Sequence, residues 1–167
     1  LVRDKQTATV DFDGRGNDER MVLHKLLAKM PTGTLDATGT VGWAPRLRWD
    51  LGAKLAGFDP GYFLSDWKGD VSGTLASKGQ ARETGGFDAT LDVPKLGGSL
   101  RGRKLDGRGK FALHGNEGEG DLALSLGNSR VNAKGKVGDR LDIDATLQPL
   151  HLDDLLPYVL GQVRGYA

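Results

Sequence analysis

The chain has no cysteine, which excludes disulfides, thiolate metal sites and a cysteine nucleophile. It has no apolar run of the roughly 18 residues that a spanning helix needs, and no signal-peptide pattern follows Leu1. No Gly-x-Ser-x-Gly elbow is present to anchor a hydrolase triad. An excess of one charge is also missing. The 23 Lys and Arg offset the 22 Asp and Glu to leave a formal charge of +1, so no single-sign field points to nucleic acid or to an acidic partner. Aromatic residues make up only 7% of the chain.

Glycine is what the chain has in excess, with 26 of 167 residues. They follow no G-X-Y period, and scattered glycine among Leu, Val and Thr indicates many turns and bulges of an all-β architecture. Period-two alternation dominates. Leu35, Ala37, Gly39 and Val41 alternate with Thr34, Asp36, Thr38 and Thr40. Leu47, Trp49, Leu51, Ala53 and Leu55 alternate with Arg48, Asp50 and Lys54. Phe87, Ala89, Leu91 and Val93 oppose Asp88, Thr90 and Asp92. Leu122, Leu124 and Leu126 oppose Asp121 and Ser125. Leu141, Ile143, Ala145 and Leu147 oppose Asp142, Asp144 and Thr146. Shorter stretches run from Val71 to Leu75, from Phe111 to Leu113 and from Val131 to Val137. Side chains alternate across a strand, so each stretch has one apolar and one polar face. All six prolines are read as lying between strands, where a missing N–H costs least.

One stretch has a different period. Asn17 or Asp18, then Val22, Leu23, Leu26, Leu27 and Met30, predicts an amphipathic helix over about 19–30, stopped by Pro31 and Gly33. Weaker helical turns are expected at Pro60–Trp67 and Leu152–Val159. The segments 58–73 and 150–165 repeat the same pattern: a short apolar turn leads into a strand that starts with glycine. Such repetition indicates a stacked, elongated architecture, and the second copy runs to the chain end, so the chain is read as a single segment of a longer β-rod.

Other motifs carry little. Asp13-Gly14-Arg15-Gly16-Asn17-Asp18 matches one copy of a calcium-binding nonapeptide, but such sites need tandem copies. An EF-hand reading fails because Arg20 stands where the bidentate Glu belongs. His24, His114 and His151 make no metal-ligand spacing with one another. Asp153-Asp154 reads as the acidic start of a helical turn. Arg101, Arg103, Lys104, Arg108 and Lys110 form the densest basic stretch. Without an aromatic platform, it reads as the wet face of two short strands joined by Asp106-Gly107. Trp43, Trp49 and Trp67, with Tyr62 and Phe63, are candidates to line an apolar groove or plug its end, although aromatics are more often core; Trp49 is the better groove candidate because its phase matches Leu47 and Leu51.

Three segments carry a resemblance. FDPGYFLSDWKGDVSGTLASKG (Phe58–Gly79), LHLDDLLPYVLGQVRG (Leu150–Gly165) and VLHKLLAKMPTGTLDATGTV (Val22–Val41) are similar to the repeated segment of the TamB (translocation and assembly module subunit) family, within the broader AsmA-like group. The resemblance implies a non-catalytic protein of the Gram-negative periplasm, anchored in the inner membrane by a part not contained in these residues. It implies a β-taco rod with a hydrophobic groove, phospholipid acyl chains as cargo, and the outer-membrane barrel protein TamA as a partner. Neither a cofactor nor a metal follows from it.

The alternation leads to a compatible expectation. A sheet with one apolar face must pair with a second layer or curl, and the helix expected at 19–30 is too short to cover some ten strands. The expected fold is therefore an all-β, elongated, curled sheet (β-taco or open β-solenoid-like) with a hydrophobic inner groove and one or two short helices. The groove residues are expected to be Val41, Leu47, Trp49, Leu51, Leu55, Val71, Leu75, Phe87, Leu91, Val93, Leu100, Phe111, Leu113, Leu122, Leu124, Leu126, Val131, Leu141, Ile143 and Leu147. The alternatives are a filled sandwich or barrel core, a scaffold that pairs with nascent barrel strands by β-augmentation, and a structural or adhesive solenoid.

Overall fold

A computed structural model of the chain describes residues 2–3, 6–138, 140–151 and 162–166. Two short strands, β1 (Val2–Arg3) and β2 (Gln6–Thr7), pair with each other. The remaining strands form one eleven-stranded antiparallel sheet. They are β3 (Thr9–Gly16), β4 (Arg20–Lys29), β5 (Thr34–Gly42), β6 (Arg48–Phe58), β7 (Gly69–Ala81), β8 (Phe87–Leu100), β9 (Arg103–Gly115), β10 (Glu117–Leu126), β11 (Ser129–Val137), β12 (Leu141–His151) and β13 (Gln162–Tyr166). Spatial order equals chain order. The sheet ends at β3 and β13 without closing, and its strands, roughly 4.8 Å apart, span about 48 Å. The expected open all-β sheet is therefore present.

The helix expected over 19–30 is not. Those residues form β4, paired with β3 and β5 along its length. The misleading period has a specific source. Leu23 faces Gly39 and Leu26 faces Ala37, so His24 and Lys25 together oppose Thr38 in a β-bulge. One inserted residue turns a period of two into a spacing of three, which imitates a helical stripe. The turns expected at 60–67 are two 3₁₀ turns, Pro60–Tyr62 and Ser65–Trp67. The turn expected at Leu152–Val159, and most of the second repeat copy, lie outside the described residues.

Three further strands carry bulges. β6 has one between Leu55 and Phe58, β8 between Val93 and Leu96, and β12 between Leu147 and Leu150. Two prolines read as lying between strands, Pro94 and Pro149, instead sit inside β8 and β12 at these bulges. A bulge leaves an N–H outside the ladder, so proline loses nothing there. Each bulge also bends and further twists its strand. The Asp106-Gly107 link between two strands is likewise absent. Both residues lie within the continuous strand β9, paired to Ser125 and Leu124 of β10.

One side of the sheet carries the connections at 59–68, 101–102 and 127–128, and this near side holds the tight packing. Val71, Leu105 and Leu126 are buried together, with Leu55, Leu96, Leu100 and Leu124 against them. The long connection is pinned beside this cluster. Asp59 accepts from the backbone N–H groups of Gly61 and Gly69, each at 2.8 Å. Phe63 stacks on Phe58 with ring centroids 6.2 Å apart, and the Arg101 guanidinium lies 5.8 Å from the Trp67 ring centre. At Gly98 φ is +125°, and a side chain there would run into the Asp70 carbonyl oxygen.

Urea denaturation should show Leu126→Ala destabilised by about 2–4 kcal/mol. Gly98→Ala should lose more than Gly102→Ala. Gly102 also has positive φ but open space around it, so its cost is the backbone term of about 1–2 kcal/mol alone. Equal losses at the two glycines would remove the steric account of Gly98.

Candidate functional site: the apolar face

Directly paired residues in an antiparallel sheet lie on the same face. Following the pairs from strand to strand therefore assigns every side chain to a face. Val41 pairs with Trp49, Leu51 with Ser77, Ser77 with Leu91, and Leu91 with Phe111. Phe111 pairs with Gly120, Gly120 with Gly135, and Gly135 with Ile143. A second row runs from Leu55 to Gly73, Leu96, Gly107, Leu124, Val131 and Leu147. Traced in this way, all twenty expected groove residues share one face. Leu47 joins them just ahead of β6, where its carbonyl accepts from Ala81 N–H at 2.8 Å.

Burial on this face is graded. On the near side Leu55, Val71, Leu100, Leu124 and Leu126 are packed in or around the buried cluster. Val41, Trp49, Leu51, Leu75, Val93, Leu122, Val131 and Leu147 are half-buried. On the far side Leu47, Phe87, Leu91, Phe111, Leu113, Leu141 and Ile143 are exposed, Leu141 to 71%. Val10 and Phe12 of β3 extend the exposed apolar surface to the sheet edge. Among the described residues no second layer covers this face. On the far side it hollows into a depression of about 470 Å³ whose walls include Leu91, Phe111, Leu113, Leu122, Ala133 and Ile143.

The opposite face is a charge lattice. Asp92, Lys110, Asp121, Lys134 and Asp144 pair in succession from β8 to β12, alternating in sign at every step. Asp50 and Lys78 meet at 2.9 Å, and Lys136 lies 3.8 Å from Glu119. A larger hollow, about 690 Å³, lies over this lattice. Its alternating charges present no uniform field, so its size does not make it the better ligand site. Lys104, Arg108 and Lys110 of the basic stretch point to this face from β9, whereas Arg103 pairs with Leu100 at the near end of the apolar one.

The remaining motifs take structural places. Asn17 Oδ1 accepts from the N–H groups of Glu19 and Arg20, each at 3.0 Å, so Asp13–Asp18 runs into the tight turn between β3 and β4. His24 lies in the β4 bulge, 3.8 Å from Asp13. His114 is on the polar face near Asp88, and His151 ends β12. Asp153 and Asp154 are outside the described residues. The Trp43 indole N–H donates to the Asp18 carbonyl at 2.7 Å. Among the described residues, no group of three or more His, Cys, Asp or Glu is placed to hold a metal ion. No described helix is long and apolar enough to cross a membrane.

The model of the TamB N-terminal domain matches residues 2–167. The chain belongs to the TamB family. No solved structure matches it. TamB membership supports a periplasmic domain with a role in lipid handling and outer-membrane protein biogenesis, and with partners drawn from those processes. The TamB family is a structural and transport scaffold, which is consistent with a non-enzymatic role.

Pattern reading missed several residues of the TamB-family chain's apolar face. Leu96 and Phe58 follow bulges that shift their phase relative to the preceding stretch. Leu105 is 5% exposed, yet it sits within the basic run. The spacing Leu105-Gly107-Gly109-Phe111 would have shown it had the glycines been counted on the apolar face. Leu23 and Leu26 were assigned to the supposed helix.

The polar-face pairs are exposed, so each contributes little. A double-mutant cycle on Asp50 and Lys78, read by urea denaturation, should give a coupling energy of no more than about 1 kcal/mol. A coupling of about 3 kcal/mol would mean that the lattice is a principal source of stability.

Proposed function

We propose that the apolar face conducts phospholipid, with acyl chains lying against it and headgroups in water at its open far side. The observation that carries this reading is the run of half-buried and exposed apolar side chains across the ten strands from β3 to β12. A filled sandwich would bury these positions, yet far-side Leu113, Phe111 and Leu141 are 37%, 42% and 71% exposed.

The energetics favour such a surface. A phospholipid with about 30 methylenes would cost roughly 25 kcal/mol to carry bare through water, at about 0.8 kcal/mol per CH₂. Covering half of those methylenes lowers that cost by about 12 kcal/mol on the same coefficient. The face offers few polar groups to hold a tail at one place. Ser77, midway across it, is engaged by the Trp49 indole N–H at 2.9 Å. A surface that attracts tails without fixing them lets lipid move along it.

On this reading the parent protein is anchored in the inner membrane and hands lipid toward the outer membrane, where a barrel protein such as TamA receives the rod. Membership of the TamB family supports both parts of this proposal. Pairing of β3 or β13 with nascent barrel strands is the alternative use of the same sheet. It needs the edges and makes no demand on the apolar face.

Photo-crosslinking side chains at Leu124 and Ile143 should capture phospholipid from vesicles, whereas the same groups at Ser125 and Asp144 should not. Equal labelling on both faces would count against the groove.

A further inference from the structure

Three glycines in strand interiors lack the usual backbone reason for being glycine. Gly79, Gly109 and Gly120 all lie on the apolar face, and none has the positive φ seen at other glycines of the sheet. In a strand interior glycine sacrifices packing and entropy, so their presence calls for a local cause. The cause is visible above each one. A Cβ on Gly120 would lie 2.9 Å from Phe111 Cδ1, and one on Gly109 would lie 3.0 Å from Phe111 Cε2. A Cβ on Gly79 would run into the benzo ring of Trp49. The two rings therefore lie down over bare backbone, Phe111 across β9 and β10 and Trp49 across β6 and β7.

Aromatic cover of a neighbouring glycine is a known stabilising device in sheets. Here it has a geometric result as well. A ring that stands on a Cβ projects into the space above the sheet, whereas a ring that lies on glycine lowers the floor of that space. Phe111 is a wall of the apolar depression, and Gly120 lies beside it in the same wall. The Trp49 indole is held flat by its bond to Ser77 and meets Phe87 at a centroid distance of 6.1 Å.

We propose that these glycines are seats that keep Phe111 and Trp49 down, and that the flat rings set the clearance of the lipid path. This rests on the groove reading above. Filling a seat lifts its ring into the path and obstructs it, although the added atoms are themselves apolar. Phe111 is then a positioning residue whose effect depends on what lies beneath it.

The test uses the 167-residue chain and a phospholipid with a fluorescent acyl chain, offered from phosphatidylethanolamine–phosphatidylglycerol vesicles. Gly120→Val should lower uptake about tenfold, equivalent to a tenfold change in binding constant. Adding Phe111→Ala should restore it to within about twofold of wild type on the same scale, because no ring remains to be lifted. A general folding defect would not be repaired by removing a second apolar side chain. If Gly120→Val does not fold, Gly120→Ala replaces it, since its one methyl meets the same ring edge. Undiminished uptake by the folded single variant, or a folded double variant that stays impaired, overturns the seat. A wild-type chain that takes up no lipid sinks the groove reading and the seat with it.

Discussion

Cross-strand register is the constraint on which the other features depend. In a sheet with unequal faces, a slip of one residue sends the whole apolar set of a strand to the wrong side. This chain meets that constraint while carrying bulges in β4, β6, β8 and β12. Each bulge reverses the phase of its own strand, and the sequence reverses with it. Trp49, Leu51, Ala53 and Leu55 are followed by Phe58, and Leu91 and Val93 by Leu96 and Leu100. Apolar residues therefore stay on one face while the strands bend, and a continuous curved surface replaces a flat one.

The polar face helps hold that register. The row Asp92, Lys110, Asp121, Lys134 and Asp144 alternates in sign across five strands. Each exposed pair contributes only a fraction of a kcal/mol. Slipped pairings, however, lose the match at several positions together. The lattice thus acts more on the choice among registers than on the stability of the right one. It also leaves the wet side with almost no net charge, so the two faces differ in polarity and not in field.

The alternation made the sheet and its amphipathic division legible in the residues alone, because a period of two sustained over this length matches the pleat of a strand and not the turn of a helix. The places where reading failed are those where the backbone departs from regular pairing. His24 and Lys25 form a bulge and imitate a helical turn. Pro94 looks like a break and is an insertion within β8. Leu105 was hidden by charged neighbours that point the other way. In each case propensity and composition speak about one strand, while the face of a residue is decided by its partner across the ladder. The glycine seats were illegible for a similar reason. Gly120 answers to Phe111 of another strand, and sequence shows only that a glycine is there.

The meander order has a consequence for how such a sheet is made. Every described strand of the main sheet pairs only with its neighbours in the chain, so the longest loop that must close is a hairpin connection. Low contact order of this kind favours fast assembly, and growth can start at one hairpin and continue strand by strand as polypeptide is delivered. Lengthening or shortening such a sheet by a hairpin would disturb only the two strands at the join.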